Sequence, residues 1–226
     1  MTPDELAATI QHTNVRPEAT KADVERLLVE CLEHGFNGAM VSPIWVPLAA
    51  AELKGSTVRV CTALDFPMGE GTTTSVAQAA AEAVRMGAHE VDVMTKVGWL
   101  RSGMEAEYRA HVAEVVSAAG GAPVKAMLEA ALLTLKELAR AVELCVEAGV
   151  AYVKNSSGFG GGDATPELVA EVRGLAGDRV GVKASGGIRT RQDAEALLSA
   201  GADLLGSSAG VRIVTSEPGS AQSDAY

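Results

Sequence analysis

Two lysines interrupt apolar segments at the point where each segment opens into a loop of small residues. Lys154 lies within residues 151–158 and Lys183 within residues 180–187, in two consecutive strand-like segments. An ammonium group inside a sheet is costly unless it is paired or deprotonated. Since neighbouring parallel strands lie about 4.8 Å apart, the two groups would depress each other's proton affinity. The pattern therefore predicts a neutral, nucleophilic lysine at a strand end.

Asp92 adds a carboxylate to this pair. It lies between Val91 and Val93 in an earlier strand-like segment, and in a barrel the side chains of one interior layer come from alternate strands. Asp92 and Lys154 can then share an interior layer of the barrel, with Lys183 beside them. The three residues together would form an acid–base set around a nucleophile. Two simpler interpretations stay open. Asp92 only neutralises one lysine in a salt bridge, or a lysine extends its head group to solvent.

Glycines and serines follow the last two strand-like segments, where a phosphate group would bind. Gly186 and Gly187 follow the second lysine segment, and Gly206, Ser207 and Ser208 follow the next strand. Unhindered backbone N–H groups near helix N-termini favour anions. The loops after strands seven and eight are also the usual phosphate site of a (β/α)8 barrel. These five residues are candidate phosphate contacts; alternatively, the glycines only close tight turns.

Neither a metal centre nor a dinucleotide site is expected. The four histidines of the chain show no metal-ligand spacing. The glycines of residues 158–162 follow the sixth strand-like segment, and their spacing does not fit the dinucleotide fingerprint. We therefore predict chemistry that uses no metal and no cofactor.

The composition limits the classes of function. A length of 226 residues suits one domain of α/β-barrel size, and a net charge of −10 argues against a nucleic-acid partner. Cys31, Cys61 and Cys145 are widely spaced, which predicts reduced, buried thiols in a cytoplasmic protein. No signal-peptide pattern or run of membrane-spanning length is expected. Small molecules are the expected partners, rather than nucleic acid or a membrane.

Short apolar strands alternate with amphipathic helices along the whole chain. Strands are predicted near residues 10–13, 38–41, 57–64, 90–94, 124–129 and 203–206 and in the two lysine segments, with helices between them that include 43–53, 73–86 and 104–119. Thr20, Thr134, Thr165 and Thr190 are predicted helix N-caps. The alternation predicts an α/β fold, a (β/α)8 TIM barrel over residues 1–215, with an open doubly wound sheet as the alternative. Residues 216–226 are small and polar and predict a flexible C-terminal tail.

Several short motifs match one known family. They are His12-Thr13, Phe66-Pro67, Glu90-Val91-Asp92, Val153-Lys154, Gly158-Phe159, Gly161-Gly162 and the run from Gly181 to Thr190. In these motifs the chain resembles the deoxyribose-phosphate aldolase family, whose members are class I aldolases of the barrel type. The similarity extends from about His12 to Ile213. The implied reaction is the reversible cleavage of 2-deoxy-D-ribose 5-phosphate to acetaldehyde and D-glyceraldehyde 3-phosphate.

The resemblance also implies roles for individual residues. It makes Lys154 the Schiff-base lysine, Lys183 the neighbour that lowers the pKa of Lys154, and Asp92 the proton-relay carboxylate. Tyr226 matches a terminal tyrosine that helps to move the proton in some relatives, although a tail without function is the simpler interpretation. A homo-oligomer, most simply a dimer, is expected, and no cofactor. Substrate contacts from the same motifs are Thr13, Ser157 and Gly158.

Six positions depart from the family pattern. Gln11 stands where the family usually has Asp, Asn155 and Ser157 where it has Thr, and Ala209 where it has a serine. Asp65 and Lys96 place charges near the expected mouth of the barrel, which makes both further site candidates. The departures leave two alternatives open: a class I aldolase for a different sugar or sugar phosphate, and a barrel that binds a phospho-sugar without turnover.

Overall fold

Eight parallel strands close a barrel in the computed structural model, which describes residues 1–216. Each strand pairs with the next along the chain, and the last pairs with the first, which confirms the predicted (β/α)8 barrel. Tyr226 and the rest of the predicted tail from residue 217 lie outside the described residues. The strands are β1 Ile10–Asn14, β2 Gly38–Val41, β3 Arg59–Leu64, β4 Glu90–Met94, β5 Val124–Met127, β6 Tyr152–Lys154, β7 Gly181–Ser185 and β8 Leu204–Ser207.

Helices between the strands cover the outside of the barrel. The predicted caps are confirmed: Thr20, Thr134 and Thr190 form capping boxes, and Thr165 accepts the N–H of Leu168. No helix within residues 1–216 is long and apolar enough to cross a membrane. The helices are α1 Pro3–Ala7, α2 Lys21–His34, α3 Val46–Glu52, α4 Thr73–Arg85, α5 Val97–Arg101, α6 Glu105–Ala118, α7 Leu135–Glu147, α8 Pro166–Ala176, α9 Arg191–Ser199 and α10 Gly210–Thr215.

Three local predictions differ from the structure. The helix predicted over residues 43–53 is a 3-10 turn, Pro43–Trp45, followed by α3. The short helices α1 and α5 were not predicted, because five residues are too few for a helical hydrophobic period to be visible. The sequence did carry a signal for α1, since Thr2 and Glu5 form a capping box.

The interior of the barrel contains a group of buried polar side chains. The main apolar core lies between the strands and the helices, as expected for strands buried on both faces. A small apolar cluster that includes Met40, Met94 and Met127 fills part of the interior. Buried charged and amide side chains occupy the rest, where branched apolar residues usually dominate. They are Gln11, Glu90, Asp92, Lys125, Lys154 and Lys183.

Candidate active site

The structure brings Asp92, Lys154 and Lys183 together. Lys154 on β6 and Lys183 on β7 are partners in the strand register. Both ammonium groups donate to the same atom, Oδ2 of Asp92, at distances of 3.0 Å for Lys154 and 2.7 Å for Lys183. One carboxylate oxygen therefore connects the two lysines, which gives a proton a short path between them.

Only one of these three residues faces open space. A cavity of about 520 Å³ opens at the carboxyl ends of the strands, and Lys154 lies in its wall. Lys183 and Asp92 are both fully buried and lie beneath it. A substrate in the cavity can touch Lys154, whereas the other two side chains do not line the cavity.

Charge and burial compete at this site. Burial alone would raise the pKa of Asp92, but the ammonium groups of Lys183, Lys154 and Lys125 hold it well below its usual range. Burial lowers the pKa of Lys183 to about 8; Asp92 opposes this shift, and the neighbouring ammonium groups of Lys154 and Lys125 reinforce it. A buried lysine with a pKa near neutrality can both accept and donate a proton under ordinary conditions.

Lys125 is a third interior lysine that the sequence interpretation missed. It is fully buried on β5, where it pairs with Glu90 and lies 3.3 Å from Oδ1 of Asp92, an ion-pair contact without hydrogen-bond alignment. Burial opposes its charge, but the two carboxylates raise the pKa of Lys125 above its ordinary value. Its signal was the same as for the other two, a lysine inside an apolar strand segment. We refer to Lys125, Lys154, Lys183, Glu90 and Asp92 as the lysine–carboxylate array.

The predicted substrate and phosphate contacts divide into two groups. Those that line the cavity are Thr13, Ser157, Gly186, Gly206, Ser207 and Ser208. Gly158 and Gly187 do not line it. A Cβ on Gly187 would lie 2.4 Å from the Asp163 carboxyl carbon, so this glycine makes room for a side chain of the adjacent loop. The Ser207 hydroxyl is already engaged, because it donates to the Ile188 carbonyl and accepts the N–H of Ala209.

Asp65 and Lys96 bind each other rather than facing the cavity. They form a buried ion pair, and Lys96 also donates to the carbonyl oxygens of Gly69 and Gly71. Asp65 in turn accepts the N–H of Gly71. The pair fastens the loop between β3 and α4, and neither side chain lines the cavity. The expected free acid at the mouth is thus neutralised by Lys96.

Two aromatic rings and a buried carboxylate also shape the mouth. Phe66 and Phe159 line the cavity and meet edge to face, with ring centroids 5.1 Å apart. Glu129 follows β5 in a left-handed conformation at φ +50° and accepts the N–H of Ser157. It is 4% exposed, and its Oε2 has no hydrogen-bond partner among residues 1–216. Glu129 therefore anchors the glycine-rich loop that carries Ser157 and Phe159.

Comparison with known proteins identifies a family. Residues 7–214 match the model of the DeoC/LacD family aldolases. A deoxyribose-phosphate aldolase from Bacillus cereus (strain AH187) is 45% identical over 213 residues, which cover 94% of this chain and 96% of that protein.

Solved structures agree with this match. A chain from Coccidioides immitis, described as a candidate deoxyribose-phosphate aldolase, superposes with a TM-score of 0.92 at 34% identity and covers 95% of this chain and 86% of its own length. The deoxyribose phosphate aldolase from Aeropyrum pernix, whose structure is a tetramer, superposes with a TM-score of 0.89 at 32% identity over 94% of this chain and 91% of its own.

Proposed function

This chain belongs to the DeoC/LacD family of aldolases, and on that premise we propose that it cleaves 2-deoxy-D-ribose 5-phosphate to acetaldehyde and D-glyceraldehyde 3-phosphate through a Schiff base. The observation that carries the proposal is that Lys154 lies in the cavity wall while sharing Asp92 Oδ2 with Lys183. An amine that reaches substrate and exchanges protons through one carboxylate has what imine formation requires.

The first stage forms an iminium. The neutral amine of Lys154 attacks the aldehyde carbon of the open-chain sugar, and the resulting carbinolamine loses water. The proton that Lys154 gives up beforehand passes through Asp92 to Lys183, whose lowered pKa of about 8 suits a proton acceptor near neutrality.

The positive charge on the iminium nitrogen promotes cleavage of the C2–C3 bond. A base removes the proton of the C3 hydroxyl, the C2–C3 electron pair flows towards the iminium, and glyceraldehyde 3-phosphate leaves. The enamine that remains on Lys154 takes up a proton at C2, and water then hydrolyses the new iminium to release acetaldehyde. Lys183 and Asp92 are the nearest proton reservoir, acting through water from below the cavity wall.

The phosphate group is proposed to bind at the side of the cavity formed by the ends of β7 and β8. Gly186, Gly206 and Ser208 line the cavity there, beside the loop after β8. Thr13 and Ser157 are proposed contacts for the sugar hydroxyls. Gly158 and Gly187 contribute by shaping the loops rather than by touching the substrate.

Release of acetaldehyde from 2-deoxyribose 5-phosphate tests the proposal. Alcohol dehydrogenase with NADH detects the aldehyde, and free 2-deoxyribose at the same concentration tests whether the phosphate is needed. We expect equimolar acetaldehyde and glyceraldehyde 3-phosphate from the phosphorylated sugar. Absence of both products, or faster cleavage of a different sugar phosphate, would contradict this substrate.

We also propose that the protein works as a homo-oligomer, most simply a dimer, in the cytoplasm. Likeness to a relative of tetrameric structure supports self-association. Three free, buried thiols fit a reducing compartment. Light scattering of the purified protein across a concentration series measures the assembly, and a monomer at all concentrations would exclude it.

A further inference from the structure

His12 is a buried histidine in the cavity wall, and the proposed mechanism gives it no role. It is 3% exposed, lies on β1 and is the register partner of Ser207 on β8. Its Nδ1 lies 3.3 Å from the carbonyl oxygen of Ser207, and its Nε2 lies 2.7 Å from Oε2 of Glu30 on α2. The ring also packs against Phe36, with centroids 5.0 Å apart. One imidazole therefore joins β1, β8 and α2.

The partners of the ring decide where its protons lie. A carbonyl oxygen only accepts hydrogen bonds, so Nδ1 of His12 must donate to Ser207. The carboxylate of Glu30 occupies Nε2, so neither ring nitrogen is left for a ligand. Although His12 lines the cavity, it has no free polar atom to offer a bound sugar phosphate.

Ser207 is the residue whose backbone His12 holds. The Ser207 hydroxyl donates to the Ile188 carbonyl at 2.8 Å and accepts the N–H of Ala209 at 3.0 Å. The Ser207 carbonyl is held separately, by Nδ1 of His12. The orientation of the peptide bond that follows Ser207 therefore depends on the imidazole.

Ser208, the next residue, carries the polar groups that this arrangement leaves free. The peptide bond between Ser207 and Ser208 is trans, so the Ser208 N–H points opposite to the carbonyl that His12 binds. Ser208 is exposed, lines the cavity and makes no hydrogen bond to another group in residues 1–216. Rotation of this peptide would replace the free N–H by a carbonyl oxygen, which repels an anion.

We propose that His12 is a positioning residue for the phosphate group of the substrate, because by binding the Ser207 carbonyl it keeps the Ser208 N–H available to the phosphate. The inference rests on the proposed function, in which Ser208 lies on the phosphate side of the cavity. A phosphate oxygen that accepts this N–H gains a charge-assisted hydrogen bond, which a free sugar cannot make. His12 should therefore affect phosphorylated ligands and leave unphosphorylated ones nearly unchanged.

Two substitutions separate the two contacts of the ring. His12→Asn places an amide N–H near the position of Nδ1 and can still hold the Ser207 carbonyl, whereas His12→Gln extends towards Glu30 instead. Both remove the ring from Phe36. His34→Gln is the matched control, because His34 also packs against Phe36 but does not line the cavity.

Three measurements follow the phosphate contact. The ratio of kcat/KM for 2-deoxyribose 5-phosphate to that for free 2-deoxyribose reports it during turnover. Calorimetric titration with glycerol 3-phosphate, with glycerol as the uncharged reference, reports it without any reaction at Lys154. The amide resonance of Ser208 in nitrogen-15-labelled wild type, followed by NMR as glycerol 3-phosphate is added, needs no variant at all.

We expect His12→Gln to lower the kcat/KM ratio and to weaken glycerol 3-phosphate binding by about tenfold, through KM rather than kcat, which is the scale of one hydrogen bond to a charged group. His12→Asn should stay within about threefold of wild type, and His34→Gln should match it. In the wild type, the Ser208 amide should shift on binding.

Equal losses in His12→Asn and His12→Gln, or no loss in either, would overturn the proposal. So would an unshifted Ser208 amide, or a wild type that binds glycerol 3-phosphate no better than glycerol. If glycerol 3-phosphate binding follows the expected order but no aldehyde is released, the proposed function fails and the inference about His12 stands.

Discussion

Lys125 and Lys183 are both fully buried and both contact Asp92, yet their surroundings act on them in opposite directions. Lys125 lies between two carboxylates and is held as a cation. Lys183 shares one carboxylate oxygen with Lys154 and has an amide as its other neighbour, and its pKa is lowered to about 8. Burial is the same for both residues. The two carboxylates raise the pKa of Lys125, whereas the ammonium groups of Lys154 and Lys125 reinforce the lowering of the Lys183 pKa by burial. We therefore expect Lys125 to stabilise the fold and Lys183 to exchange protons.

The largest expected effect comes from Lys154→Arg. A guanidinium group stays protonated in proteins and cannot attack a carbonyl, so we expect aldehyde release to fall by about four orders of magnitude or more, as when other enzymes lose a nucleophile. The same change at exposed Lys136 on α7 is the control and should leave turnover unaltered. Turnover above a few per cent of the wild-type value in Lys154→Arg would show that Lys154 is not the nucleophile.

Lys183→Leu should have the next largest effect. The array would hold two lysines and two carboxylates, so release of a proton would become harder. Turnover at neutral pH should fall on the order of 100-fold, which is the scale of a lost acid–base group. Part of the activity should return about one to three pH units higher. Lys183→Arg, which keeps the charge but cannot accept a proton, should not recover at any pH; if it does, Lys183 acts by charge alone.

Lys125→Met tests whether Lys125 stabilises the fold rather than taking part in the reaction. Removal of one partner from a buried ion pair typically costs about 3–5 kcal/mol of stability, and we expect a loss of this size in the free energy of unfolding measured with urea. Lys136→Met on the exposed face of α7 should change stability by less than about 0.5 kcal/mol. If Lys125→Met is as stable as wild type but inactive, Lys125 takes part in the reaction. The contrast between a stabilising Lys125 and a proton-exchanging Lys183 is then wrong.

Glu129→Ala should have the smallest effect on activity, because Glu129 lies at the mouth of the cavity. It removes the acceptor of the Ser157 N–H and frees the loop that carries Phe159. A hydrogen bond to a charged group contributes about 1.5–3 kcal/mol, so KM should rise roughly tenfold to a hundredfold with little change in kcat. Glu107→Ala, on the exposed face of α6, is the control. A fall in kcat with unchanged KM would mean that Glu129 influences the array rather than the loop.

The sequence predicted the interior residues better than those at the mouth. A lysine or an aspartate within an apolar strand is visible as a break in a hydrophobic run, and so Asp92, Lys154 and Lys183 could be found and grouped. Lys125 produced the same break and was overlooked because no loop of small residues follows it. The barrel itself followed from the alternation of strands and capped helices.

Contacts between distant loops could not be predicted. Lys96 and Asp65 are 31 positions apart on separate loops, and their pairing depends on where two strands end in space. The same holds for Phe66 and Phe159. The left-handed conformation of Glu129 carries no local signal, since glutamate rarely adopts it. These features arise from tertiary packing, which a single sequence does not display.

Trapping of the covalent intermediate tests the central claim most directly, namely that Lys154, and neither of the other buried lysines, is the nucleophile. Wild-type protein is incubated with acetaldehyde, reduced with borohydride, digested and analysed by peptide mass spectrometry, with Lys154→Arg as the matched control. We predict one ethyl group on Lys154 in the wild type and no modification of Lys125 or Lys183. An ethyl group on Lys183, or equal labelling in Lys154→Arg, would contradict the account.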